Sequence, residues 1–404
     1  MNRCLGAAHV AASLIVFTSA WADEGVLTLE AALARARQQS QAIASARGRI
    51  EEARGRLRGA STLRDNPVLE SAIGRRSQGG TPADLDVGVS QTFELGGRRG
   101  ARIAGAQAEV ARAIASADDT SRMVLRQVAD GFFRAVHAEL RVNVARAAET
   151  HAADVHRIAE RRHAAGDIAV LEVNVAASAQ ARARSEVLTA QASRAVALGE
   201  LRVLLDLAPG EPLSVSGELR ERRSYELGEL TSRALERPDL RALEAELGAA
   251  EAEIRLGRSF SWPDVSPAVR YERDEGKRVL WGGLTVTLPF FNRGQELRAV
   301  GEARARRIRT EIGALRHAIQ NEIETALEAY RLRLQAAEEL QSTLGALDDN
   351  EHLARRSYEA GQIGLAEFLL VRREVLETRL AALDRLLDAA QAGSELESRA
   401  GLLR

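Results

Sequence analysis

Three side chains that can bind a metal ion share one helical face near residue 160. They are His156, Glu160 and His163, spaced i, i+4 and i+7. Imidazole and carboxylate together suit zinc, iron and related cations. Glu160-x-x-His163 has the spacing of half a carboxylate-bridged di-iron site. A full site needs a second such pair and two further Glu from facing helices. The nearest second pair is Asp349-x-x-His352, and no internal symmetry preserves these positions as ligands. His156, Glu160 and His163 therefore read as a charged helix surface or as a weak cation-contact face, not as a catalytic centre. The sequence contains no Ser-His-Asp set, phosphate loop or cofactor fingerprint. Its one cysteine, Cys4, sits at the extreme N-terminus, which leaves no thiolate metal site and no disulfide framework further on. These residues predict a protein that is not an enzyme and that carries no cofactor and no resident metal.

The elements that must position those residues are mostly helices. Hydrophobic residues make up 45% of the 404-residue chain and charged residues 28%, with aromatics at only 4%. Ala, Leu, Glu and Arg dominate, the composition of long helices and coiled coils. A formal net charge of −1 gives no basic field for nucleic acid. At the N-terminus Arg3 precedes the apolar run "LGAAHVAASLIVF", and Ala20 and Ala22 bracket Trp21 in the small-x-small pattern of a cleaved leader. Residues 1–22 are read as a signal peptide, because the run is shorter than the ~20 residues of a membrane helix. No later segment is apolar enough to span a bilayer as a helix, so the exported chain is either soluble or part of a barrel.

The chain also says everything twice. "IEEARGRLR" (50–58) resembles "LGAAEAEIR" (247–255), "VGVSQTFELGGR" (87–98) lies over "GGLTVTLPFFNR" (282–293), and "RRHAAGDIAVLE" (161–172) lies over "RSYEAGQIGLAE" (356–367). The offsets are 197, 195 and 195 residues, so one duplication accounts for all three. The expected division is a first repeat over 23–206, a turn-rich linker over 207–227 and a second repeat over 228–404. Helices are predicted at 27–60, 98–164 and 168–206, and again at 228–258, 294–359 and 363–402. Apolar residues recur at three- and four-residue steps, for example Leu327, Tyr330, Leu334, Ala337 and Leu340, so one stripe of each helix is buried. Gly166 and Gly361 end the long helices, with Asp167 expected to cap the returning one.

Four segments carry a strand period: 67–76, 84–95, 264–273 and 280–290. Leu85, Val87, Val89, Phe93 and Leu95 alternate with polar residues. Leu280, Leu284, Val286, Leu288 and Phe290 share one face, and Thr285 and Thr287 share the other. Each segment is close to the ~9–11 tilted residues that cross a membrane in a barrel with a wet lumen. Beyond the leader, Phe93, Phe260, Trp262, Tyr271, Trp281, Phe290 and Phe291 lie in or beside these strands, as interfacial girdles do. Trp281 has the parity of the polar row unless Gly282 and Gly283 form a bulge. Two hairpins on a soluble helical protein would leave unpaired edges. In lipid every edge must close. Four strands cannot enclose a pore, so copies must pool them: two chains give eight strands and three give twelve.

The signal, the duplicated strand pair with its long helical hairpin, and the segments "SQTFELGGRRGARIAGAQAEV", "LTVTLPFFNRGQ" and "YEAGQIGLAEFLLVRREVLETRLAAL" together resemble the TolC-like outer-membrane efflux protein family (outer membrane factors). The wording "FELGGRRGAR" is most similar to the CzcC-type heavy-metal branch. The resemblance implies a mainly α fold with membrane β: a homotrimer whose twelve-stranded β-barrel in outer-membrane lipid continues as a coiled-coil α-helical tunnel across the periplasm. It also implies a passive exit duct docked on a periplasmic adaptor (membrane fusion) protein and an inner-membrane RND pump, with heavy-metal cations as cargo. A drug-efflux or type I protein-secretion duct would share this fold, and a soluble periplasmic coiled-coil adaptor is the rival from another class. Loops near 77–83 and 274–279 would face outside, and the Gly166 and Gly361 turns would form the periplasmic tips. By position, Glu172 and Glu367 match the family's acidic residue after the tip glycine and would line the channel constriction.

Overall fold

The computed structural model describes residues 26–74, 83–219, 223–274 and 277–403. The expected leader lies outside them, as does most of the 77–83 loop. The first half runs β1 (Val26–Leu27), α1 (Leu29–Gln39), α2 (Gln41–Ser61), β2 (Val68–Gly74), β3 (Asp84–Ser90), α3 (Arg98–Ala164) and α4 (Val170–Leu204). After β4 (Ser214–Val215) come α5 (Leu227–Ala234), α6 (Pro238–Ser259), β5 (Asp264–Asp274), β6 (Lys277–Thr287), α7 (Gln295–Glu359) and α8 (Leu365–Arg399). The 67 residues of α3 reach about 100 Å at 1.5 Å per residue.

Both helices expected to enter the strand pairs are broken. At Ser40 the backbone turns extended, and α2 restarts with the Gln41 N–H donating to the Asp206 carboxylate at 2.9 Å. Asp206 itself holds a positive φ of 50°. The cap comes from 165 positions away, so no local period announces the break. In the second half the break falls before Pro238, which pushes its predecessor out of the helical region and opens α6 at N1. The linker is not merely turns, because β4 pairs in parallel with β1, Val26 against Ser214 and Leu27 against Val215.

The four long strands form one antiparallel sheet in the order β2-β3-β5-β6. β3 ends at Ser90, five residues short of the expected 95, and Phe93 makes only an isolated bridge to Val265. β6 starts three residues before the expected 280, because Asp274 and Lys277 close a tight hairpin. The β5–β6 register is unbroken from Asp264↔Thr287 to Asp274↔Lys277, so Gly282 and Gly283 form no bulge. Trp281 therefore lies on the polar face, where its Nε1 donates to Glu272 at 3.1 Å.

The helices follow the sheet. Near it α2 packs on α3, α3 on α6, and α6 on α7; farther away α4 packs on α3, α3 on α8, and α8 on α7. Three buried clusters lie along this palisade. One joins Leu125, Val128 and Phe132 to Leu201 and Leu205, and a second joins Ile308, Ile319 and Ile323 to Leu240 and Leu396. The third sits at the hairpin tips.

Candidate functional site: the hairpin tips and the sheet junction

Both tips close in the same way. Gly166 has φ +83° and Gly361 φ +70°, values that Gly adopts without a Cβ penalty. The Asp167 N–H donates to the Arg162 carbonyl at 2.9 Å and the Gly166 N–H to that of His163, the paired bonds of a Schellman motif. Gln362 and Gly361 repeat the pattern on Ser357 and Tyr358. This geometry corrects the expected role of Asp167. Its N–H completes the outgoing helix, while α4 opens two residues later at Ala169 with no side-chain cap.

The tips pack on one another. Val155, Ala159 and Ala176 of the first hairpin share a buried cluster with Tyr358, Leu365 and Phe368 of the second. The Tyr358 and Phe368 rings stack, with centroids 5.2 Å apart and planes 3° apart. Arg162 Nη1 donates to the Tyr358 carbonyl at 3.1 Å, and its guanidinium lies 5.4 Å from the Tyr358 ring centroid. Tyr358 is buried and its hydroxyl has no partner among the described residues. Burial raises its pKa, Arg162 opposes the rise and the Glu172 carboxylate adds to it. Glu172 is half-buried in the first turn of α4, and Glu367 is exposed in the first turn of α8.

The side chains of the candidate cation-contact face take several partners. His156 Nδ1 lies 2.8 Å from Gln180 Oε1, and its Nε2 is 3.6 Å from Glu160. His163 Nδ1 instead meets the Ile168 carbonyl at 2.9 Å, within the tip turn. Among the described residues no three His, Cys, Asp or Glu side chains are grouped to hold a metal ion. His352 shares a cavity of about 130 Å³ with His151, Asp154, Asp348 and Glu351, but Arg355, Arg372 and Arg379 line it too. Burial, then Arg372, lowers the pKa of His151. The cavity's carboxylates Asp348 and Glu351 are already paired with Arg379 and Arg372.

Where sheet meets helix, a buried arginine was not foreseen. Arg98 sends Nη1 to both carboxylate oxygens of Asp264 at 2.7 Å and Nη2 to the Trp262 carbonyl at 2.7 Å. Its guanidinium lies 4.3 Å from the centre of the Phe260 ring. Phe260, read from sequence as a girdle residue, is thus part of this junction. Trp262 packs over Gly96, where an added Cβ would come within 2.5 Å of the indole. Arg98 lies over Arg293 in the repeat alignment, which was the available signal, but its partner Asp264 lies 166 positions away.

An exposed sheet with one apolar face, hung on helices far longer than a globular domain needs, defines a class: a membrane duct with a long extramembrane stem. Residues 32–206 and 230–402 match the family model for the outer membrane efflux protein, and the chain belongs to that family. It is thus an outer-membrane efflux channel protein that extends into the periplasm, a passive conduit and not an enzyme. It is similar to the cobalt-zinc-cadmium resistance protein CzcC of Cupriavidus metallidurans, at 27% identity over 379 residues, 92% of this chain and 90% of the relative. It is also similar to the pyoverdine export outer membrane protein OpmQ of Pseudomonas aeruginosa, at 27% identity over 433 residues, 95% of this chain and 86% of the relative. The solved structure of CusC, described for its transmembrane channel formation, shares the fold with a TM-score of 0.76 at 18% identity, covering 92% of this chain and 91% of its own.

Proposed function

We propose that two tandem repeats, 23–206 and 228–404, build one third of a homotrimeric duct. One observation carries this reading. Both the sheet and the palisade of helices end in open edges within a single chain: β2 and β6 above, α4 and α7 below. Leu69, Ile73, Leu280 and Leu284 crowd one exposed sheet face, an arrangement that lipid stabilises and water does not. Three copies joining β2 to β6 give a twelve-stranded barrel with room for a channel.

In this reading the tips meet a periplasmic adaptor, an inner-membrane RND pump supplies the energy, and the cargo is a heavy-metal cation. The similarity to a cobalt-zinc-cadmium resistance protein supports the metal cargo, and the similarity to a pyoverdine export protein at the same 27% identity supports an organic cargo as the second reading. Cations would pass the tips in transit and would not rest at His156, Glu160 and His163. Glu172 and Glu367 of three copies would set six carboxylates around the Gly166 and Gly361 turns, where crowded like charges attract cations. A deletion strain challenged with zinc, cadmium, cobalt, nickel, copper and hydrophobic dyes tests the cargo. Lost metal tolerance supports the metal reading; unchanged tolerance to every metal with lost tolerance to dyes overturns it. Glu172→Ala with Glu367→Ala should change bilayer conductance or cation preference, and no change in either removes both residues from the constriction.

A further inference from the structure

One rung in from the Asp274↔Lys277 pair that ends the β5–β6 ladder, Arg273 lies directly opposite Arg278. Side chains alternate between faces, so this pair shares the apolar face with Tyr271 and Leu280 on the next rung of that face, then Val269, then Leu284. Both arginines are exposed, and neither has a hydrogen bond or ion pair with a described residue. The polar face is different: there Arg270 is neutralised inside the sheet by Glu70 at 2.8 Å and Asp86 at 3.1 Å. Like charges facing each other across a ladder repel. Two such residues on the apolar side, with no carboxylate paired to either among the described residues, leave room for an anion from outside the chain.

Their depth says which anion. From Arg273 down to the level of Trp262 the strand takes about eleven steps, or about 27 Å along the membrane normal at a ~40° tilt, close to the height of a barrel's apolar band. Trp262, Phe290 and Phe291 mark one boundary of that band, and the arginine pair with Tyr271 marks the other, at the end away from the helices. We propose that Arg273 and Arg278 form a site for the phosphate of a phosphorylated glycolipid in the outer leaflet, with Leu280 and Leu284 beneath it receiving the acyl chain. Cβ atoms on directly paired residues lie about 5 Å apart, so both guanidinium forks reach one phosphate. The site rests on the reading that the apolar face meets lipid.

The full-length protein is extracted from outer membranes in mild detergent, and retained phosphorylated glycolipid is counted by native mass spectrometry. Arg273→Gln with Arg278→Gln should cut retention roughly tenfold or more, as expected for losing two charge-assisted contacts. Lys277→Gln, a cation at the same depth on the polar face, should leave it unchanged. Glycolipid stripped of its phosphates should bind the unaltered protein no better than the double variant does, and millimolar inorganic phosphate should not displace the intact lipid. Equal retention by the double variant, equal loss with Lys277→Gln, equal binding of the stripped lipid, or displacement by free phosphate each overturns the site. Bilayer conductance on the same preparations separates the two levels. A conducting double variant that keeps its glycolipid defeats the site alone; an unaltered protein that neither conducts nor needs detergent defeats the membrane reading beneath it.

Discussion

Arg162 and Tyr358 join the ends of the two hairpins, one donating Nη1 to the other's carbonyl at 3.1 Å while its guanidinium rests by the same residue's ring. This is a direct polar link between the first hairpin and the outgoing helix of the second at the tips. Arg162→Ala leaves the stacked Tyr358 and Phe368 rings in place but frees the hairpins to separate. A charge-assisted bond at a half-exposed site contributes about 1 kcal/mol, so the open population should rise about fivefold. Single-channel recordings check this through longer open dwell times; unchanged dwell times assign the contact to local packing.

The Arg98–Asp264 pair should hold the sheet to the helices. Arg98 is 5% exposed, and its removal leaves Asp264 without its counter-charge and the Phe260 ring without its guanidinium. Arg98→Ala should cost about 3 kcal/mol per chain. Arg98→Lys should recover only part of that, because an ammonium lacks the planar fork. The temperature at which the oligomer dissociates in mild detergent reads both losses.

Two glycines at matching helix starts should differ sharply. Gly97 and Gly294 both hold positive φ, 78° and 72°. A Cβ on Gly97 meets nothing within 4 Å, whereas one on Gly294 would lie 2.1 Å from the Gly257 carbonyl oxygen. Gly97→Ala should cost about 1 kcal/mol, the conformational penalty alone. Gly294→Ala must also part α6 from α7 and should block assembly, as gel filtration in detergent would reveal.

The ends of α3 were legible because an unbroken apolar stripe runs from Arg98 to a glycine at 166, and α7 follows the same rule up to Gly361. Strand parity was legible too, but for Trp281 it left two answers, the polar row or a bulge at Gly282 and Gly283, and only the unbroken register chose the first. What sequence could not carry were partners far along the chain. Asp206 capping Gln41, Asp264 gripping Arg98, and β1 lying beside β4 leave no local period. The tip link was hidden differently. His163 and Tyr358 hold the same place in the two repeats, so the alignment pairs them as equivalents, while the structure gives one to its own turn and the other to the opposite hairpin.

Asp130 offers a test by pH. Burial raises its pKa above the ordinary 3.8, outweighing the Ser394 hydroxyl, whose bond to the carboxylate acts in the opposite direction. A carboxyl that binds its proton more tightly when folded destabilises the fold as pH rises from about 4 through the raised value. Asp130→Asn should therefore flatten the stability profile over that window and match or exceed the unaltered protein at pH 7. A profile that keeps its slope assigns the pH dependence to other groups.

The central claim is that open strand edges on separate copies close into one barrel, and cysteine cross-linking tests it most directly. The chain has a single cysteine, Cys4, within the expected leader, so introduced thiols report without background. Ser71→Cys on β2 is combined in turn with Leu280→Cys, Gly282→Cys and Leu284→Cys on β6, residues of the same face. Oxidation in outer membranes should give a ladder that stops at three chains for at least one pair. Monomers throughout, or a ladder running beyond three, would contradict the closed trimer.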